Sequence, residues 1–189
     1  MNRHPVAAGK SSFDLIDKDR LFSIFDLEKN KIHADLACGV GNYSLELAKR
    51  IKGEGKIHAF DLWREGIEEL NKRILEQNIQ CITAMVADIT RVLPLNTGSV
   101  DSCLMATVIH DLSESERTTS IEEVVRVLKP QGFLMVVEFK KIDSGPGPSF
   151  QHRLSEDELD KIVSVHGLRN VFVGDVGPYN YFMKFVKEK

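Results

Sequence analysis

Residues 35–50 read DLACGVGNYSLELAKR. Asp35 and Leu36 fall near the end of the apolar run KIHADLA (31–37), and Gly39 and Gly41 make a turn. The following NYSLELAKRI then places Tyr43, Leu47 and Ile51 four residues apart on one face of a helix. Strand, glycine turn and helix in immediate succession read as the opening of a β-α-β unit. Its glycines let the backbone approach whatever the helix start holds.

The same alternation continues along the chain. KIHAFDL (56–62) predicts a second strand, and REGIEELNKRILEQN (64–78) a helix with Ile67, Leu70 and Ile74 on one face. CITAMVAD (81–88) predicts a third strand and VDSCLMATVI (100–109) a continuously apolar fourth. Strands apolar on both faces belong to a parallel sheet covered by helices. Ser113 and Glu116 form a capping-box pattern ahead of IEEVVRVL, with Lys129-Pro130-Gln131-Gly132 as the expected helix end. FLMVVEFKKI (133–142) predicts a fifth strand. Ser155 and Glu158 then cap a further helix ending near Gly167, and two last strands flank Gly177-Pro178. A turn that short permits only an antiparallel hairpin. The fold class expected is α/β, doubly wound and Rossmann-like, with its ligand beyond the carboxyl ends of the strands at the switch point beside the first strand.

Composition narrows the function classes. The 189 residues, 42% hydrophobic and 28% charged, fit one globular domain. A formal charge of −3 leaves no basic track for nucleic acid. Cys38, Cys81 and Cys103 lack metal-ligand or C-x-x-C spacing, and no H-x-x-x-H appears, so no metal is expected. No apolar run approaches a membrane span, and MNRHPVAAGKSSFD has no apolar leader core, so a cytoplasmic protein is expected.

A turn such as Gly39-x-Gly41 at the first strand serves two cofactors, a dinucleotide or S-adenosylmethionine. Asp61, about twenty residues on, suits ribose hydroxyls in either case. Two residues separate them. Ser44 stands where a dinucleotide fingerprint needs its third glycine. Asp35 would repel a pyrophosphate but suits an ammonium and a sulfonium. The sequence therefore favours S-adenosylmethionine over a nicotinamide cofactor.

In these residues the chain resembles class I S-adenosylmethionine-dependent methyltransferases, in a branch similar to the small-molecule quinone-biosynthesis C-methyltransferases. The resemblance runs over residues 31–189. DLACGVG resembles the first motif, with Ala37 in place of a commoner glycine, and implies cofactor contacts at Asp35, Ala37, Gly39 and Gly41. AFDL is similar to the second, implying Asp61 on the ribose hydroxyls and Leu62 against the adenine. VADI is similar to the third and implies Asp88 for the adenine amino group and the Ile89 amide for a ring nitrogen, a helix cap being the other reading of Asp88. LPLNTGSVDSCLMATVIHDL resembles the fourth, implying the Ala106 backbone against the methionine part, and LKPQGFLMVVEF resembles the motif after it. The resemblance implies a seven-stranded sheet of order 3-2-1-4-5-7-6 with strand 7 antiparallel.

Methyl transfer from a sulfonium is an in-line displacement that needs a base only if the acceptor must lose a proton. His110, Glu138 and His152 are the catalytic candidates; Asp111 stands beside the first and Arg153 beside the last. His110 and Asp111 could equally orient the following helix. The loop DSGPGPSFQHR (143–153) leaves the fifth strand on the ligand side, either as an acceptor wall or as a connector. Phe13, Ile16, Leu21, Phe22 and Phe25 are too apolar for a solvated tail, so residues 1–30 are expected to form a helical lid capped at Asp17 or Asp19, ahead of a methyltransferase domain over 31–189. The short lid and absent N-P-P-[YFW] favour a small-molecule substrate, taken by a monomer or homodimer. A protein or RNA methyltransferase working with a partner and a nicotinamide oxidoreductase are the alternatives.

Overall fold

A computed structural model describes residues 8–25 and 30–188. Residues 1–7 and 26–29 of the expected lid, and Lys189, lie outside the described residues. The strands are β1 Lys31–Leu36, β2 Gly55–Asp61, β3 Ile82–Val86, β4 Val100–Ala106, β5 Leu128–Phe139, β6 Leu168–Asp175 and β7 Asn180–Lys187. The helices are α1 Lys18–Ser23, α2 Asn42–Ile51, α3 Arg64–Glu76, α4 Glu114–Val127 and α5 Glu156–Ser164. They build one seven-stranded sheet of order β3-β2-β1-β4-β5-β7-β6. β7 is antiparallel to both β5 and β6, and the other pairings are parallel.

Both sheet faces are covered, which is why the strands carry few polar residues. Leu21 and Phe22 of α1, Leu47 and Ile51 of α2, and Ile67 and Leu70 of α3 pack over Ile57, Ala59 and Met135. On the other face, Ile121 and Val124 of α4 and Leu159 and Val163 of α5 cover Leu134, Val136 and Phe185. Burial of this kind contributes about 25 cal/mol per Å² of apolar surface, the main term holding helices to sheet. The capping boxes at Ser113 and Ser155 are both formed, side chain to N3 amide and N3 carboxylate back to the cap. No helix among the described residues is long and apolar enough to cross a membrane.

Lys129-Pro130-Gln131-Gly132 does not act as a helix-ending turn. α4 stops at Val127, and these residues form an irregularity inside β5: Leu128 pairs with Val100, and Phe133 already pairs with Ser102. Gln131 takes a φ of 64°, and a Cβ on Gly132 would lie 2.9 Å from the Lys129 carbonyl. The segment therefore re-aims the chain from helix to strand without a connecting loop.

Asp17 caps α1 by accepting from the Arg20 amide, and its own amide donates to the Val176 carbonyl at 2.6 Å. Gly177 lets the β6–β7 turn approach this segment, since a Cβ there would sit 2.6 Å from the Leu15 carbonyl. Residues 12–25 are thus packed on one sheet face and tied to the β6–β7 turn, and residues 8–10 line the cavity beyond the carboxyl ends of the strands.

Candidate active site

The chain crosses from one sheet face to the other between β3 and β4, so a crevice opens beyond β1 and β4. A cavity occupies it. Ala37 and Gly39 line it from the turn after β1, Asp61 and Leu62 from the end of β2, Asp88 and Ile89 from the end of β3, and Ala106 from β4. Seven residues expected at a cofactor therefore meet in one space, although they come from four strands.

Two of the backbone positions around it are left-handed without being glycine. Ala37 has φ 62° and Thr107 φ 52°. Such geometry costs a non-glycine residue about 1 kcal/mol or more and is characteristically kept where a site needs it. It also accounts for glycine being the commoner residue at position 37 in the motif. Gly39 has φ 56°, and a Cβ there would meet nothing within 4 Å, so its bareness keeps the cavity wall open.

Asp61 ties the site together. Its Oδ2 accepts the Gly39 N–H at 2.7 Å and its Oδ1 the Trp63 N–H at 2.7 Å. Burial pushes this carboxyl above its usual range, while the amides of Trp63, Gly39 and Leu62 pull it back. A carboxylate has about four acceptor positions, so capacity remains for two vicinal hydroxyls. Asp88 is not a helix cap: its Oδ1 accepts the amide of Thr90 at 2.9 Å and the Thr90 hydroxyl at 2.6 Å, closing a turn that sets Ile89 against the cavity.

Asp35 and Gly41 are placed elsewhere. Asp35 is buried beneath the turn, with the Ser44 hydroxyl donating to its Oδ2 at 2.5 Å, and is not among the cavity-lining residues. Gly41 is the N-cap of α2 and has no side chain with which to cap, so Asp35 supplies that function from β1. Gly41 itself serves packing: a Cβ there would collide with Leu70 of α3.

Behind the cavity wall at Asp111, His110 and Glu138 are brought together. His110 Nδ1 and Glu138 Oε2 are 2.7 Å apart, with Glu138 wholly buried. His152 is exposed, pairs with Ser149 through Nδ1 at 2.8 Å, and is not among the lining residues. Arg153 is buried, and its guanidinium donates to the carbonyls of Lys140, Ser144, Gly145, Pro146 and Pro148. It is the fastener of the 143–153 loop, with its donors taken by backbone carbonyls.

Among the lining residues, Ala8, Gly9 and Lys10 above the cavity come from the segment expected as a lid, whereas no motif points to Thr107 and Glu116 beside it. Nor does the sequence show how residues 8–12 are held. Ser12 is buried, with its hydroxyl 2.8 Å from Tyr43 Oη and 3.3 Å from Thr107 Oγ1. One serine thus joins the covering segment to the cofactor turn's helix and to the end of β4. Nothing in the spacing of Ser12, Tyr43 and Thr107 signals that contact.

A family model described as a methyltransferase domain matches residues 34–132, from β1 into the irregularity of β5. The chain belongs to that family. As a methyltransferase domain of the S-adenosylmethionine-dependent class, it is similar to the 2-phytyl-1,4-naphtoquinone methyltransferase of Nostoc sp., 28% identical over 62% of this chain and 50% of that protein. It is also similar to the ubiquinone/menaquinone biosynthesis C-methyltransferase UbiE of Ruegeria sp., 27% identical over 81% of this chain and 58% of that one. The domain therefore spans between half and three-fifths of the length of these curated relatives. A SAM dependent methyltransferase from Aquifex aeolicus superposes with a TM-score of 0.84, 26% identity and coverage of 93% of this chain and 92% of that one. The [4+2]-cyclase SpnF shares the fold with a TM-score of 0.79 at 16% identity, over 98% of this chain and 84% of that one, which extends the likeness in architecture alone.

Proposed function

We propose that this domain transfers a methyl group from S-adenosylmethionine to a small hydroxylated aromatic acceptor of the quinol type, in the cytoplasm and without nucleic acid. The observation that carries the reading is the convergence of Ala37, Gly39, Asp61, Leu62, Asp88, Ile89 and Ala106 on one cavity at the sheet's switch point. Their chemistry fits the cofactor. Asp61 accepts ribose hydroxyls, Leu62 and Ile89 offer apolar surface to the adenine, Asp88 accepts from its amino group, and the Ala106 backbone faces the methionine part. When bound, the cofactor supplies an electrophilic methyl carbon on a sulfonium. The chain's own work is to align that carbon with the acceptor and exclude water, the source of most acceleration in such a displacement. The segment at residues 8–10 is read as the lid, with His110 and Glu138 serving the acceptor end. The quinol class rests on the names of the relatives at Nostoc and Ruegeria.

Calorimetry on the whole chain with S-adenosylmethionine, S-adenosylhomocysteine and NAD tests the cofactor. Binding of the first two and none of NAD is expected, and preference for NAD would overturn the reading. Radiolabelled methyl transfer to a 2-alkyl-1,4-naphthoquinol tests the acceptor class.

A further inference from the structure

Glu138, His110 and Asp111 stand in line from the core to the cavity wall. Glu138, at the carboxyl end of β5, places Oε2 2.7 Å from His110 Nδ1 and accepts the His110 backbone N–H on Oε1 at 3.2 Å. A wholly buried carboxylate is costly unless it is partnered in this way. On the far side of the ring, Nε2 lies 3.5 Å from Asp111 Oδ1. Asp111 lines the cavity with its side chain 26% accessible. The short turn Ile109–Asp111 that carries both residues is pinned from α4, where Arg117 donates to the carbonyls of Ile109 at 2.9 Å and His110 at 3.4 Å. The Phe139 ring closes the remaining side of the imidazole at 5.9 Å.

Among the described residues, the charged groups that face the imidazole are Glu138 from β5, Asp111 from its own turn and Arg117 from α4. Burial works against a charged ring, and Arg117 does too, but Glu138 and Asp111 outweigh them and hold His110 above its ordinary value. The cavity wall beside Asp111 adds the carboxylate Glu116 and the Thr107 hydroxyl. That surface accepts hydrogen bonds and suits a neutral acceptor that brings an O–H.

Building on the methyltransferase reading, we propose that Asp111 is the catalytic residue that meets the acceptor's hydroxyl and takes its proton, and that His110 and Glu138 are positioning residues that fix the Asp111 carboxylate. As the acceptor's nucleophilic carbon or oxygen bonds to the methyl carbon, the sulfur–methyl bond breaks with its electron pair left on sulfur. The hydroxyl proton passes to Asp111, which releases it to solvent through its accessible edge; where a ring carbon is methylated, the ketone so formed then loses its C–H proton to solvent and takes one back on oxygen.

The test uses the full chain with S-adenosylmethionine and a 2-alkyl-1,4-naphthoquinol, together with nitrogen-15 NMR titration of the histidine rings. Asp111→Asn should lower kcat about 10²-fold or more while the Kd for S-adenosylmethionine stays within about twofold. Glu138→Gln should lower the pH at which the His110 ring loses its second proton and shift the pH profile of kcat, and Asp111→Asn should move the same titration in the same direction. Turnover of Asp111→Asn within about threefold of wild type would overturn the proposal, as would a His110 titration that Asp111→Asn leaves unmoved; the latter stands even if Glu138→Gln does not fold. Wild-type chain that binds S-adenosylmethionine but leaves the quinol untouched overturns the hydroxyl-acceptor proposal alone. Chain that binds no S-adenosylmethionine overturns the underlying function instead.

Discussion

Replacing Asp35 by Asn should change how the fold's stability depends on pH. Asp35 lies between Ala59 and Leu104 in the middle of the sheet and is 2% exposed. Burial raises its carboxyl from 3.8 to about 7; the Ser44 hydroxyl and amide oppose this, and the Asp61 charge reinforces it. The folded chain therefore keeps this proton up to about pH 7, whereas the unfolded chain releases it near pH 3.8. Between those values the folded state binds more protons. The contribution of Asp35 to stability is thus complete below the lower value and is lost as pH rises through the upper one. At about 1.4 kcal/mol per pH unit, the loss approaches about 4 kcal/mol in full.

An asparagine keeps an oxygen for the Ser44 hydroxyl and carries no charge to bury, but its two N–H donors find no partner, at a cost of about 1–3 kcal/mol. Asp35→Asn should therefore be neutral to destabilising at pH 4. Relative to wild type it should gain about 2 kcal/mol or more on passing to pH 8. Urea unfolding of both proteins at pH 4, 5, 6, 7 and 8, followed by tryptophan fluorescence and circular dichroism, measures the difference directly. Two stability curves that run parallel across that range would refute the reasoning, because they would mean that Asp35 titrates alike in the folded and unfolded chains.

Three further outcomes follow from the site. Asp61→Ala removes charge-assisted acceptors worth about 2–4 kcal/mol and should weaken S-adenosylmethionine binding ~30-fold or more in calorimetry. Ala37→Gly relieves a φ of 62° and should raise the unfolding free energy by about 1 kcal/mol, read as a shift in the urea midpoint. Addition of S-adenosylmethionine should slow amide exchange in residues 8–12 by about tenfold or more, and Ser12→Ala, which loses the contacts to Tyr43 and Thr107, should abolish that protection; exchange unaltered by the cofactor would remove the lid from the functional reading.

The sheet and its helices were legible because their signals are local: apolar runs, four-residue spacing, two capping boxes and a tight hairpin. The role of an acid at a strand end was not, because it depends on register. Leu36 pairs with Phe60 as the last rung between β1 and β2, so Asp35 lies one rung inside that ladder and Asp61 one rung beyond it, paired only with Val86 of β3. In sequence each acid sits near the end of an apolar run, and only the pairing turns one into a helix anchor and the other into a lining residue.

In the 143–153 loop a cation is spent on its own backbone. Gly145-Pro146-Gly147-Pro148 offers carbonyls that no strand or helix can satisfy, and a path drawn tight against aromatic rings. A Cβ on Gly147 would reach 2.6 Å from Phe139, and one on Gly145 would collide with Tyr179. Half-buried carbonyls that no strand or helix serves need donors, and Arg153, itself buried, brings five N–H groups in one plane to them. A residue that reads in sequence as an anion hook is therefore consumed by its own loop. That loop in turn lies against Phe139, whose ring meets the His110 imidazole edge to face, so Arg153 acts on the surroundings of His110 only through the loop it fastens.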